Sequence, residues 1–122
     1  QVYLADTLGE LGTWYALAPI VFLGGSLREI GGHNPLEPAS AGAAILNGPH
    51  VTNFAETFAP LIATGGAVQV ADADDLAAAV LRWLASPAPL ETARTAARSF
   101  ATRRQEALSD IVERLCAALD LA

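Results

Sequence analysis

The chain has no lysine, no methionine and one cysteine, and its seven cationic side chains stand against thirteen carboxylates in 122 residues. Each shortage excludes something. Cys116 alone cannot form an intramolecular disulfide, and a chain of this length, which buries roughly two-thirds of its unfolded surface, does not require one. A formal net charge of −6 without clustered cations argues against nucleic acid as a partner. The missing lysine argues against a signalling receiver domain, an α/β unit of similar size that needs one beside its phosphorylatable aspartate. No apolar run reaches the ~18 residues of a membrane-spanning helix, and the first residues lack the basic start and cleavage site of a secretory signal. The expectation is therefore a soluble chain in a reducing cytosol.

Alanine is abundant instead, at 26 of 122 residues, which favours helix wherever glycine and proline do not intervene. Val2–Ala5 reads as a short buried strand, and Thr7-Leu8-Gly9-Glu10 has capping-box spacing for a helix running to about Ala18. Pro19 ends that helix. Ile20–Leu23 is a continuous apolar run suited to a parallel strand covered on both faces, closed by Gly24-Gly25. A short helix ending near Gly42, a strand at Ala44–Leu46 and a turn at Gly48-Pro49-His50 follow. Asn53 is placed to cap a helix with Phe54, Phe58, Leu61 and Ile62 on one face, stopped by Gly65-Gly66. Ala67–Val70 gives a fourth strand. Asp72 can cap a helix whose apolar stripe is Leu76, Val80, Trp83 and Leu84, broken by Pro87 and Pro89. From Leu90, the residues Ala93, Ala97, Phe100, Leu108, Ile111, Leu115 and Leu119 describe one long amphipathic helix. No internal repeat or low-complexity linker interrupts the pattern.

Strand and helix alternate with short connections, so the fold class is α/β with a parallel sheet. Such sheets bind ligands beyond the carboxyl ends of their strands, where the turns after Leu23 and Leu46 fall. The first of these opens the informative stretch, Gly24-Gly25-Ser26-Leu27-Arg28-Glu29-Ile30-Gly31-Gly32-His33-Asn34-Pro35-Leu36-Glu37-Pro38. Bare amides of a glycine-rich turn leading into a helix start suit a phosphate or carboxylate without lysine, which matters because Arg28 is the only cationic side chain in the first 80 residues. On chemistry alone Ser26 can donate to a phosphate oxygen, His33 and Asn34 can bond a sugar or phosphate, and Glu37 can take two ribose hydroxyls. A structural alternative stands beside this. Asn34-Pro35-Leu36-Glu37 is also a cap, first-turn proline and capping-box glutamate, although Pro38 argues for a helix starting at Pro38 that leaves Glu37 free.

Four segments in order carry a resemblance: Asp6-Thr7-Leu8-Gly9-Glu10-Leu11, Gly24-Gly25-Ser26-Leu27, Gly31-Gly32-His33-Asn34-Pro35-Leu36-Glu37-Pro38-Ala39, and Gly48-Pro49-His50 with Asn53-Phe54. Together they resemble the signatures of the bacterial 3-deoxy-D-manno-octulosonic acid (Kdo) transferase family, two-domain GT-B glycosyltransferases. The tail resembles that family only in its helical pattern, and Ala43-Ala44 replaces a Lys-Pro often seen after Gly42. The resemblance implies that residues 1–122 are part of a carboxyl-terminal, Rossmann-like nucleotide-sugar domain. It implies an inverting enzyme that takes CMP-Kdo as donor and a lipid A precursor as acceptor, at the cytoplasmic face of the inner membrane, with no metal or other cofactor. The catalytic base and the membrane contact would belong to an amino-terminal domain, so this chain alone is expected to bind CMP weakly and transfer nothing. Carried over by position, Gly25 and Ser26 would meet the phosphate or sugar, Gly32, His33 and Asn34 would line the donor pocket, and Glu37 would hold the ribose. In the sheet order 3-2-1-4-5-6, Val2–Ala5 would be the third strand and Ile20–Leu23 the fourth, the exposed side of the latter being covered by the former or by another copy of the chain.

The alternatives are a GT-B domain using a UDP-sugar and a nucleotide-binding module without chemistry. Asp72-Ala73-Asp74-Asp75 has the look of an Asp-x-Asp metal motif, but acidic residues directly before an apolar helical stripe are favoured by the helix dipole, and the cap reading is preferred. His33 and His50 lack the paired spacing of a zinc site. His50 is either a pocket residue or a turn residue bonded to nearby backbone. Cys116 is expected to be a small buried apolar residue, and Trp14 and Trp83 to be core residues.

Overall fold

The structure is a computed structural model in which residues 1–119 are described. Three parallel strands, β1 (Ile20–Leu23), β2 (Ala44–Asn47) and β3 (Ala67–Gln69), lie in the order β1-β2-β3, in register from Ile20 opposite Ala44 and from Ile45 opposite Ala67. Helices α1 (Leu11–Leu17), α2 (Leu36–Ser40), α3 (Ala55–Ala63), α4 (Ala73–Ala85) and α5 (Pro87–Ala118) connect and flank them, with a single 3-10 turn at Thr52–Phe54 ahead of α3.

β2 is central and wholly buried, which is why its sequence is apolar on both sides of the pleat. Alternate residues feed two cores. Ile45 joins Leu23, Phe58, Leu61, Ala97 and Phe100 under α3 and α5, while Ala44 and Leu46 join Val70, Ala79, Trp83 and Ala93 beneath α4. α5 serves both cores through its first half. Its alanines leave room for close approach, and Arg94 Nε donates to the Gly42 carbonyl at 2.7 Å, tying the helix to the turn before β2. α4 begins as its sequence predicts: Asp72 Oδ1 accepts from the Asp75 amide at 2.8 Å and Asp75 Oδ2 accepts from the Ala71 amide at 2.9 Å, so both carboxylates are spent on the helix start.

Several expectations are corrected. Val2–Ala5 forms no strand: Val2, Tyr3 and Leu4 are exposed, and the Tyr3 ring lies against Trp14, ring centroids 5.3 Å apart. Among the described residues β1 pairs only with β2, so Val2–Ala5 does not cover its other side. α1 starts one residue beyond Glu10, because the Thr7 hydroxyl bonds the Glu10 carboxylate at 2.6 Å instead of a backbone amide. It buries no residue fully, and Trp14 is half-buried rather than core. Asn53 caps no helix; it falls within the 3-10 turn, its amide bonded to the Gly31 carbonyl at 3.1 Å. Leu84 faces outward, as do Leu108, Ile111 and Leu115 on the second half of α5 and Leu119 just past its end, and Cys116 is half-buried. Periodicity marks an apolar face but does not supply a surface for it to pack against.

Candidate functional site

The loop after β1 and the loop after β2 are stapled together at the carboxyl edge of the sheet. Ser26 is fully buried, its hydroxyl donating to the Leu23 carbonyl at 2.6 Å and accepting from the Gly48 amide at 2.8 Å. The Ser26 carbonyl in turn accepts from the His50 amide at 2.9 Å. Gly48 is required for this approach, since a Cβ there would overlap the Ser26 carbonyl and come within 2.7 Å of the Leu27 nitrogen. The turn continues through Gly25, whose φ of +68° is left-handed, and returns at Gly32, whose amide donates to the Gly25 carbonyl at 2.9 Å. A closed loop results, with His33 folded back against Gly25: a Cβ on Gly25 would stand 3.4 Å from His33 Nε2.

Beyond this loop opens a cleft of about 550 Å³, lined by Gly24, His33, Asn34, Glu37, Tyr15 and Phe54 with the end of β1. His33, Asn34 and Glu37 are exposed there. Asn34 Oδ1 accepts from the Leu36 amide at 3.0 Å and so starts α2, leaving its Nδ2 available to an acceptor in the cleft. Glu37 sits in the first turn of α2 and makes no ion pair among the described residues. Its carboxylate acts on Tyr15: burial first, and then that negative charge, raise the phenol above its ordinary pKa. A second lobe of about 710 Å³ adjoins the cleft, bordered by Gly9, Gly12, Leu36 and Ala41, and shares Leu11, Tyr15 and Glu37 with it.

Polar groups at the end of one parallel strand, bare glycine amides beside them and an unpaired carboxylate one helical turn away make an arrangement that can hold an anionic group and a vicinal diol at once. No family model matches the sequence. It is 39% identical over 117 residues to the 3-deoxy-D-manno-octulosonic acid transferase of Bordetella pertussis, an alignment covering 90% of this chain and 27% of that protein. The corresponding transferase of Haemophilus influenzae is 37% identical over 116 residues, covering 94% of the chain and 27% of that protein. A crystal structure of the C-terminal CMP-Kdo binding domain of WaaA from Acinetobacter baumannii matches with a TM-score of 0.78 at 39% identity, covering 82% of this chain and 52% of that one. The chain is homologous to one part of the Kdo transferases. It spans about a quarter of the length of the curated relatives it matches.

Measured against the Kdo transferase motifs, the six residues expected at the site divide into two groups. His33, Asn34 and Glu37 come together in the cleft, and Gly25 turns the loop beneath His33. Ser26 and Gly32 form the other group: both are buried, with the Ser26 hydroxyl and the Gly32 amide bonded within the protein, so through those atoms they shape the loop. The helix start also contributes less than expected, because α2 has only five residues and a correspondingly small dipole. Of the two readings of Asn34-Pro35-Leu36-Glu37, Asn34 follows the cap while Glu37 stays free, with α2 beginning at Leu36 rather than Pro38. His50 is bonded to backbone through its amide and is not among the residues lining the cleft. Tyr15 and Phe54 also line the cleft, and neither was expected as a site residue; the signals available were the place of Phe54 in the last of the four resembling segments and the i, i+4 spacing of Leu11 and Tyr15, which puts both on one face of α1.

Proposed function

We propose that this chain is the donor-binding portion of an inverting Kdo transferase, holding CMP-Kdo while Kdo passes to a lipid A precursor at the cytoplasmic face of the bacterial inner membrane. The reading is carried by one observation, the free Glu37 carboxylate facing the same cleft as His33 and Asn34 at the end of β1. It is supported by the likeness of the chain to Kdo transferases and to a CMP-Kdo binding domain. Glu37 accepts from both ribose hydroxyls. The Gly24 and Gly25 amides, which have no protein partner among the described residues, donate to the phosphate together with Asn34 Nδ2 and His33. During transfer the bond between the anomeric carbon and the phosphate oxygen breaks with its electron pair on CMP. The acceptor hydroxyl attacks the opposite face and gives its proton to a base. This chain stabilises the departing phosphate with donors already in place. The base and the acceptor surface are assigned to residues outside these 122.

Chemical-shift titration of the chain with CMP and UMP tests the reading. CMP is expected to shift amides between Gly24 and Glu37, with UMP weaker at every one of them. Silence toward CMP, or a preference for UMP, overturns it.

A further inference from the structure

The phosphate, sugar and ribose contacts occupy one lobe of the site and leave the other without an occupant. That second lobe lies between α1 and α2 and is bordered largely by apolar or side-chain-free positions: Gly9, Gly12, Leu36 and Ala41. At both glycines a Cβ would have open space around it, so a flat ring can lie against bare backbone there. Tyr15 and Glu37 stand where the two lobes meet and border both. A ribose held by Glu37 at that junction directs its phosphate toward His33 in one lobe and its base into the other, since base and phosphate leave the sugar from different carbons.

The geometry points to Tyr15 as the residue that grips the nucleobase of the donor, its half-buried ring stacking on a pyrimidine in the lobe formed by α1 and α2. This rests on the cytidylate reading above and goes beyond it by naming a base-binding surface on α1. Stacking suits the site because the chain lacks lysine and its cleft is lined by no arginine, so affinity has to come from apolar contact and neutral donors. Burial, and then the Glu37 carboxylate, raise the Tyr15 phenol above its ordinary pKa, so a ring that is already neutral at ordinary pH stays neutral beside the base well into the alkaline range.

Calorimetric titration of the 122-residue chain with CMP, cytidine and ribose 5-phosphate tests this. Tyr15→Ala is expected to raise the dissociation constants of CMP and cytidine about tenfold, the usual scale of one base–aromatic stack. Ribose 5-phosphate affinity is expected to stay as it was, and Tyr15→Phe, which keeps the ring, to restore most of the loss. Tyr15→Leu carries the same expectation should Tyr15→Ala fold poorly, as it keeps apolar bulk without a π-face. An equal loss for ribose 5-phosphate, or CMP binding that survives both substitutions, overturns the assignment of Tyr15 alone. If the unmodified chain ignores CMP altogether, the donor reading falls with it.

Discussion

Ser26 and His33 sit in the same loop and answer to different constraints. Removing the Ser26 hydroxyl strands the Gly48 amide in a buried position, so Ser26→Ala is expected to cost about 1–3 kcal/mol, read as a lower urea midpoint at an unchanged slope. His33→Ala removes an exposed side chain and is expected to leave stability within about 0.5 kcal/mol while weakening CMP binding. The reverse pattern, a stable Ser26→Ala with lost binding, would return the hydroxyl to the ligand. A glycine pair followed by serine at a strand end fits both a phosphate cradle and a loop staple; only the partner 22 residues away, Gly48, separates them, and no local pattern reveals it. Tyr15 titrates in the opposite sense to a stabilising carboxylate. Its folded pKa lies above the unfolded value of 10.0, so its contribution is complete below that pH and is lost as pH rises through the folded value. Denaturation profiles are therefore expected to weaken above pH 10 in the unmodified chain and less in Tyr15→Phe; identical alkaline losses would show that Glu37 and burial do not act on this phenol.

At the scale of elements, the two halves of α5 divide its apolar residues between core and solvent. Phe100 closes the core under α3, and Phe100→Ala is expected to cost about 3–5 kcal/mol. Ile111→Ala and Leu115→Ala, on the exposed half, are expected to stay within about 0.5 kcal/mol of the original, measured by urea unfolding of each variant. A large loss from Ile111→Ala would mean that the second half of the helix is covered in solution. The sequence pattern alone ranks all three positions equally, because they share one helical stripe. Elements bounded by local chemistry were the readable ones, β1 between Pro19 and Gly24 and α4 behind Asp72; α5 was legible as a long helix from Leu90 but begins at Pro87, because prolines in a first turn forgo amides that have no helical partner there. Val2–Ala5 was not, because an apolar tetrapeptide becomes a strand only where a neighbouring strand accepts its backbone, and none does so among the described residues. The cleft shows the same division. Its loop was visible as glycine density, whereas the contribution of α1 through Tyr15 depended on how α1 settles against α2.

At the scale of the whole molecule, charge makes an unusual demand on a site meant for a phosphate. The net formal charge is −6, the cleft is lined by no arginine, and Glu37 adds a negative charge beside the ribose position. A nucleoside monophosphate therefore approaches against the average field of the protein and is held by short-range donors that salt hardly affects. Shortening the Debye length from about 30 Å to about 10 Å, by raising salt from about 0.01 M to about 0.1 M, screens the repulsion and leaves those donors intact. CMP affinity is accordingly expected to rise by about twofold over that interval, the sign opposite to that of sites built on clustered cations, while uncharged cytidine should show little dependence. An affinity for CMP that falls steeply with salt would place a cation at the phosphate, with Arg28 in the exposed part of the glycine loop the first to test by Arg28→Gln. The glycine amides would then be bystanders, and the site would have to be rebuilt around that one side chain.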